Sequence, residues 1–160
     1  MTKAGFGLVE IIIASAIISV SIFSLSAIAV IGSRLQVQSL EKIRANFLAE
    51  EGLEALRFLR DKSWSGNLFT LSSGVDYYIN FSTSTSLWSI SSTPSYYIDS
   101  LFERKVKTEN VFRDSNDDIV LSGGTNDPDT KKFTVFVAWY SKAGTSTVQL
   151  NTYLSDIFDN

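Results

Sequence analysis

Near its N-terminus the chain carries the stretch that decides its fold, Gly5-Phe6-Gly7-Leu8-Val9-Glu10, followed by an uncharged run from Ile11 to Ser33. The run consists mainly of Ile, Ala, Val, Leu and Ser. It exceeds the roughly 20 helical residues that cross the hydrocarbon core of a bilayer. A helix over residues 6–32 would measure about 40 Å at about 1.5 Å per residue, which a tilted span accommodates. The sequence therefore predicts a helix that can cross a membrane.

Glu10 is the residue in this stretch that needs a separate explanation. A carboxylate inside an apolar helix costs roughly 2.5–3.5 kcal/mol on insertion scales, so it commonly marks a function and a partner. The simplest interpretation is that Glu10 lies at the membrane surface and reaches water. A short leader with Lys3, then Gly5 and Phe6, then Glu10 four residues later, is a combination that chance seldom assembles.

These residues resemble the class III signal of type IV prepilins and pseudopilins. The resemblance implies that a dedicated peptidase cuts between Gly5 and Phe6, and that the new N-terminal Phe6 is then methylated on its amine. It also implies that Glu10 neutralises the terminal amine of an adjacent subunit in a filament. A buried carboxylate is tolerated only when it is paired, which agrees with that role. Gly7 and Val9 replace the Thr and Ile that are more frequent in the family.

The resemblance also implies a location and a set of partners. The precursor would wait in the cytoplasmic membrane, in contact with lipid and with its head outside, and would then enter an extracellular or periplasmic filament. Its partners would be the prepilin peptidase, other pilin or pseudopilin subunits and an inner-membrane assembly platform. Basic residues lie on both sides of the run, with Lys3 before it and Arg34, Lys42 and Arg44 after it. Their count leans towards the opposite orientation, so the expected orientation rests on the resemblance.

Two alternative interpretations assign the apolar run a different role. In the first, the run is an uncleaved anchor for a monomeric, membrane-anchored extracytoplasmic binding module, and Glu10 and Gly5 are dispensable. In the second, the run is a secretory signal peptide with Ala27-Ile28-Ala29 as its small-x-small cleavage site. Against the second, the run continues through Val30 and Ile31 and is longer than the usual 7–15 residue apolar segment.

The run is expected to continue as a helix to Lys62, because residues 34–62 contain many helix formers and no proline. Two sets of apolar residues at helical spacing share faces of this helix: Leu40, Ile43 and Phe47, and then Leu53, Leu56 and Leu59. Residues 49–54, Ala-Glu-Glu-Gly-Leu-Glu, resemble a stretch common in bacterial minor pilins. We expect the C-terminal half of the helix to lie against a sheet.

Short aromatic and β-branched segments after residue 63 predict strands, at residues 75–81, 86–90, 102–108, 133–140 and 146–154. The last two flank a short loop containing Gly144, which predicts a hairpin. A long helix followed by antiparallel strands predicts the α+β class, with the helix on one face of the sheet. The predicted divisions are a leader at 1–5, a transmembrane or filament-core helix at 6–33, an amphipathic continuation at 34–62 and a β-rich globular head at 63–160.

Composition argues against catalysis and against nucleic-acid binding. The chain has 160 residues, no Cys and no His, which removes thiolate chemistry and the commonest general base. Its 14 Lys and Arg are outnumbered by 17 Asp and Glu, giving a net charge of −3, whereas phosphate backbones require clustered cations. The sequence predicts a structural protein that is not an enzyme and that needs no cofactor.

One acidic segment could bind a cation. Asp114, Asn116 and Asp118 reproduce the first three ligand positions of a calcium loop, and some pseudopilin heads bind calcium. The pattern then departs, because Ile119 occupies the glycine position and Thr125 occupies the position of the bidentate glutamate. The alternative is a solvated turn, since Asp, Asn and Gly are turn residues.

Overall fold

A computed structural model describes residues 7–95, 97–141 and 144–158. The chain divides into two compact units, Met1–Glu41 and Lys42–Asn160. We call these the N-terminal unit and the C-terminal unit. Helix α1, Leu8–Lys62, runs through the boundary between them. The predicted divisions at residues 5, 33 and 62 remain predictions.

The C-terminal unit contains a four-stranded antiparallel sheet with strand order β4-β3-β5-β6. Its strands are β3 (Phe102–Arg113), β4 (Ile119–Val120), β5 (Thr125–Ser141) and β6 (Gly144–Ser155). The predicted hairpin is β5–β6, which pairs from Thr130 opposite Ser155 to Ser141 opposite Gly144. Between β3 and β5 the register shifts after Asn110. The three long strands, β3, β5 and β6, all extend beyond the predicted segments 102–108, 133–140 and 146–154.

A second, two-stranded sheet pairs β1 (Tyr78–Ser82) with β2 (Leu87–Ser91). A bridge from Tyr77 to Val106 connects this hairpin to β3, with N···O distances of 2.9 and 2.8 Å. The short helix α2 (Trp64–Asn67) follows α1, and its N-cap residue Ser63 accepts a hydrogen bond from the Gly66 amide. This cap satisfies an amide that the first helical turn would leave unpaired.

The face of α1 that packs on the sheet consists largely of small residues. Ala45, Ala49, Gly52 and Ala55 are buried there together with Leu56 and Leu59. A Cβ atom on Gly52 would lie 2.9 Å from Cγ1 of Val135, so the absence of a side chain lets helix and strand approach closely. Of the two apolar sets predicted to share helix faces, the second packs inward. The first, Leu40, Ile43 and Phe47, is at least half exposed.

The sheet contributes the other half of the core. Inward positions alternate along β3 and β5, and the buried side chains include Phe102, Val106, Phe133, Val135 and Val137. Trp64 and Trp139 are also buried in this core, whereas Trp88 is half-buried. The structure thus confirms the predicted α+β class, with a long N-terminal helix whose C-terminal part packs on antiparallel strands.

Candidate functional site

The first candidate site is the start of α1, where Glu10 lies in the first helical turn. The amides of Glu10 and Ile11 donate to the carbonyl oxygen of Gly7, at 3.0 and 3.3 Å. An acidic side chain here is favoured by the positive end of the helix dipole. Among the described residues Glu10 is exposed and forms no ion pair, and it is the sole charge between Leu8 and Ser33.

The predicted processing residues Gly5 and Phe6 lie outside the described residues. The proposed cut and the proposed pairing of the Phe6 amine with Glu10 therefore remain predictions. The nearest described residue is Gly7, which is exposed.

Large apolar side chains cover all sides of the segment after Glu10. From Leu8 to Ile31 every residue is exposed, and the aliphatic and aromatic side chains leave half or more of their surface uncovered. Two examples are Phe23, which is 77% exposed, and Leu25, which is 67% exposed. A helix that is apolar on every side is stable only inside a bilayer or among other apolar helices. Among the described residues α1 alone is long and apolar enough to cross a membrane, with a mean hydropathy of 2.4 over its best window.

Four of the serines of this segment are compatible with an apolar environment because their hydroxyls bond within the helix. Ser19, Ser21 and Ser24 each donate to the carbonyl oxygen four residues earlier at 2.8 Å, and Ser15 donates to Ile12 at 2.9 Å. Each hydroxyl proton thus has a partner that does not depend on water. These contacts make the segment more apolar in effect than its serine content indicates.

The acidic turn after β3 uses its first carboxylate to hold its own backbone. Oδ1 of Asp114 accepts hydrogen bonds from the amides of Asn116 and Asp118, at 2.8 and 3.1 Å. Asp117 has a φ of 67°, and all three predicted calcium ligands are exposed. Across the described residues no three His, Cys, Asp or Glu side chains come together in a way that could hold a metal ion. The turn therefore has the geometry of an Asx turn, and calcium binding remains a prediction.

A nearby ion pair was not predicted from the sequence. Nε of Arg113 lies 2.6 Å from Oδ2 of Asp127, and Nη1 of Arg113 donates to the carbonyl oxygen of Asp117 at 2.8 Å. Burial raises the pKa of the Asp127 carboxyl, but hydrogen bonds from Arg113, Thr130 and the Asp129 amide outweigh it, so the pKa lies below its ordinary value. The pair links the ends of β3 and β5 beside the register shift.

Two buried cations were also missed. Arg104 donates to Glu51 at 2.7 Å and to the Leu48 carbonyl oxygen at 3.1 Å, so it ties β3 to α1. Nζ of Lys131 donates to three backbone carbonyls in the loop after α2, and burial lowers its pKa. Arg104 could have been found from the alternation of β3, in which it occupies an inward position. Lys131 could have been found in the same way, because it lies two residues before Phe133 in the inward alternation of β5.

A cavity beside Arg104 is too small for a substrate. It measures about 10 Å³, is bordered by Tyr78, Ile79 and Glu103 among others, and has room for about one water molecule.

Comparison of the chain with known proteins gives no match to a family, to a curated protein or to a solved structure.

Proposed function

We propose that this chain is a structural subunit, a minor pilin or pseudopilin, of a type IV pilus or type II secretion-like filament. It is processed after Gly5 and assembles through its N-terminal helix. The observation that carries the proposal is Glu10, a lone carboxylate in the first turn of a helix that is otherwise apolar on every side.

Two partners cover the exposed apolar surface of α1 in succession, first membrane lipid and then other subunits. Before assembly, lipid covers the segment from Leu8 to Ser33, in which four serine hydroxyls bond to backbone carbonyl oxygens of the same helix. After assembly, the helices of neighbouring subunits cover it, which removes the same apolar surface from water. Identical subunits stacked by one repeated contact form an open filament, because such a contact does not close on itself.

Glu10 sets the register of that stacking. Outside water its charge requires an opposite charge, and the amine created by cleavage before Phe6 supplies one on a neighbouring subunit. The exposed position of Glu10 leaves its carboxylate accessible to such a partner. The C-terminal unit lies outside the membrane and outside the helical core, and no catalytic or nucleic-acid-binding role is proposed for it.

The experiment compares Glu10→Ala with the wild-type chain, co-expressed with the filament system of its own cell. Loss of a buried charge partner costs on the order of 3–5 kcal/mol, so we expect at least about a hundredfold less variant in sheared filaments. The amount in the membrane should not change. Glu50→Ala, which alters an exposed glutamate on the same helix, is the matched control and should assemble normally.

Incorporation of Glu10→Ala at the wild-type level would refute the pairing. If the wild-type chain itself stayed monomeric in the membrane and kept its leader, the alternative of an anchored extracytoplasmic binding module would replace the filament subunit.

A further inference from the structure

Strand β6 forms a free edge of the four-stranded sheet. It pairs along its whole length with β5 and stands last in the strand order β4-β3-β5-β6. Among the described residues no other strand pairs with it. In an antiparallel strand, alternate residues direct their N–H and C=O groups away from the paired neighbour. β6 therefore presents a row of unpaired donors and acceptors along Gly144–Ser155.

The opposite edge of the sheet is protected in ways that β6 is not. Along β3, Phe112 and Arg113 pair with β4, while bridges from Ile98 and Tyr77 occupy positions 102 and 106. β3 also carries several charged side chains. β6 has no charged residue, no proline and no register break against β5. Because natural sheets block exposed edges with these devices, a long edge that lacks all of them is suited to pairing with another strand.

The two faces of β6 are chemically different. On the outer face the exposed side chains are polar and uncharged: Thr145, Thr147, Gln149, Asn151 and Tyr153. On the inner face Val148 and Leu150 are half-buried against the core, and Leu154 is buried. A strand added to this edge would continue the sheet only if it were apolar on the inner face and uncharged on the outer face.

We infer that the partner is β6 of a second copy of this chain, paired antiparallel about a two-fold axis through Gln149. In this register Val148 lies opposite the partner's Leu150, and Leu150 lies opposite the partner's Val148. On the outer face Thr147 lies opposite the partner's Asn151. On the inner face the two apolar residues beside the axis, Val148 and Leu150, therefore meet each other, whereas Leu154 lies opposite the partner's Gly144. No charged side chains face each other, so the strand can pair with itself.

The pairing joins two four-stranded sheets into one continuous eight-stranded sheet. The contact is isologous and closes at two copies, unlike the open stacking proposed for the helices. It rests on the β6 edge alone and is independent of the proposed function, so either can fail without the other.

The test uses the full chain in its membrane, where the absence of native cysteine makes single cysteine substitutions specific. Gln149→Cys places two thiols opposite each other at the axis, and mild oxidation should give a covalent dimer. Thr147→Cys is the matched control on the same exposed face. The two thiols at position 147 of such a dimer would be four residues apart along the strand, about 14 Å at about 3.4 Å per residue, which is beyond the reach of a disulfide. The double variant Thr147→Cys with Asn151→Cys should crosslink again.

A second variant tests the contact without a crosslink. Gln149→Lys places two like charges opposite each other and should lower the dimer fraction, measured by light scattering in detergent, by about tenfold or more. Tyr140→Lys changes an exposed β5 residue away from the edge and should leave the dimer intact. Equal crosslinking at positions 147 and 149, a dimer that Gln149→Lys does not weaken, or a Gln149→Cys adduct with a different protein would each overturn the inference.

Discussion

Lys131→Met tests whether a buried ammonium holds the loop after α2 against the sheet. Lys131 is 7% exposed, and its Nζ lies 3.2 Å from the carbonyl oxygen of Leu68, 2.5 Å from that of Phe69 and 2.6 Å from that of Leu71. Methionine keeps most of the side-chain volume but cannot donate a hydrogen bond. The variant therefore removes the donor while leaving the space filled.

The expected loss follows from counting the acceptors that are left without a donor. The Leu68 carbonyl keeps a hydrogen bond from the Leu71 amide at 3.2 Å, so the carbonyls of Phe69 and Leu71 are the ones affected. An unsatisfied buried acceptor costs about 1–3 kcal/mol. Relief from burying a charge offsets part of this total. We expect a net loss of about 3 kcal/mol, which lowers the melting temperature of a unit this size by roughly 10 °C.

Tryptophan fluorescence during thermal unfolding is the suitable assay, because Trp64, Trp88 and Trp139 all lie in the C-terminal unit. Lys132→Met is the matched control, since Lys132 pairs at 3.0 Å with the exposed Glu109. A surface pair of this kind contributes about 0–1 kcal/mol. Equal melting temperatures for the Lys131 and Lys132 variants would refute the assigned role of the buried ammonium.

Two further perturbations test the packing and the charge pair of the same unit. Gly52→Ala should destabilise by about 1–2 kcal/mol, because overpacking against Val135 exceeds the gain in helix propensity. The cost should shrink in a Val135→Ala background, where Cδ of Arg104 at 3.2 Å is the remaining close contact. Strictly additive losses in chemical denaturation would contradict this close contact. Asp127→Asn tests whether the pKa of Asp127 is lowered in the folded chain. The ionised carboxylate then contributes to the free energy of unfolding in full above its unfolded-state pKa of about 3.9. That contribution is lost as the pH falls through the lower pKa of the folded state. The urea midpoint of the wild type should therefore fall more steeply than that of the variant between about pH 4 and pH 2, and parallel curves would show that the Arg113 pair does not lower this pKa.

The long helix and the terminal hairpin could be predicted because each has a strong local signal. From Ile11 to Ser33 no charge interrupts the apolar run, and α1 continues to Lys62 as expected. The β5–β6 hairpin follows from two alternating segments around Gly144. The spacing of apolar residues along the chain and the residue types in the turn are sufficient in both cases, so neither prediction depended on tertiary contacts.

The buried face of α1 was harder to predict, because the contact uses small residues in place of large ones. Spacing alone singled out Leu40, Ile43 and Phe47, but the structure buries Ala45 and Ala49. A sheet that approaches a helix closely selects alanine and glycine at the contact, and hydrophobic periodicity gives those residues little weight. The side chains of Leu40, Ile43 and Phe47 remain exposed, because no other part of the described chain packs against them.

The buried cations depend on partners distant in sequence. Arg104 meets Glu51 and the Leu48 carbonyl on α1, and Lys131 meets a loop more than 60 residues earlier. The alternation of β3 and β5 marks both positions as inward-facing, but the partners are set only when helix, loop and sheet are in place, so no local pattern encodes the contacts themselves. Of the predicted assembly residues Glu10 is the one that the structure describes; it lies in the first turn of α1, and its role in assembly remains a prediction.

The most direct test of the central claim is intact-mass and N-terminal peptide analysis of the chain expressed with its own processing peptidase. The filament-subunit proposal predicts a chain that begins at Phe6 and carries the added mass of one methyl group. A chain that retains Met1 would contradict it in favour of the anchored module, and one that begins near Val30 would identify a secreted domain.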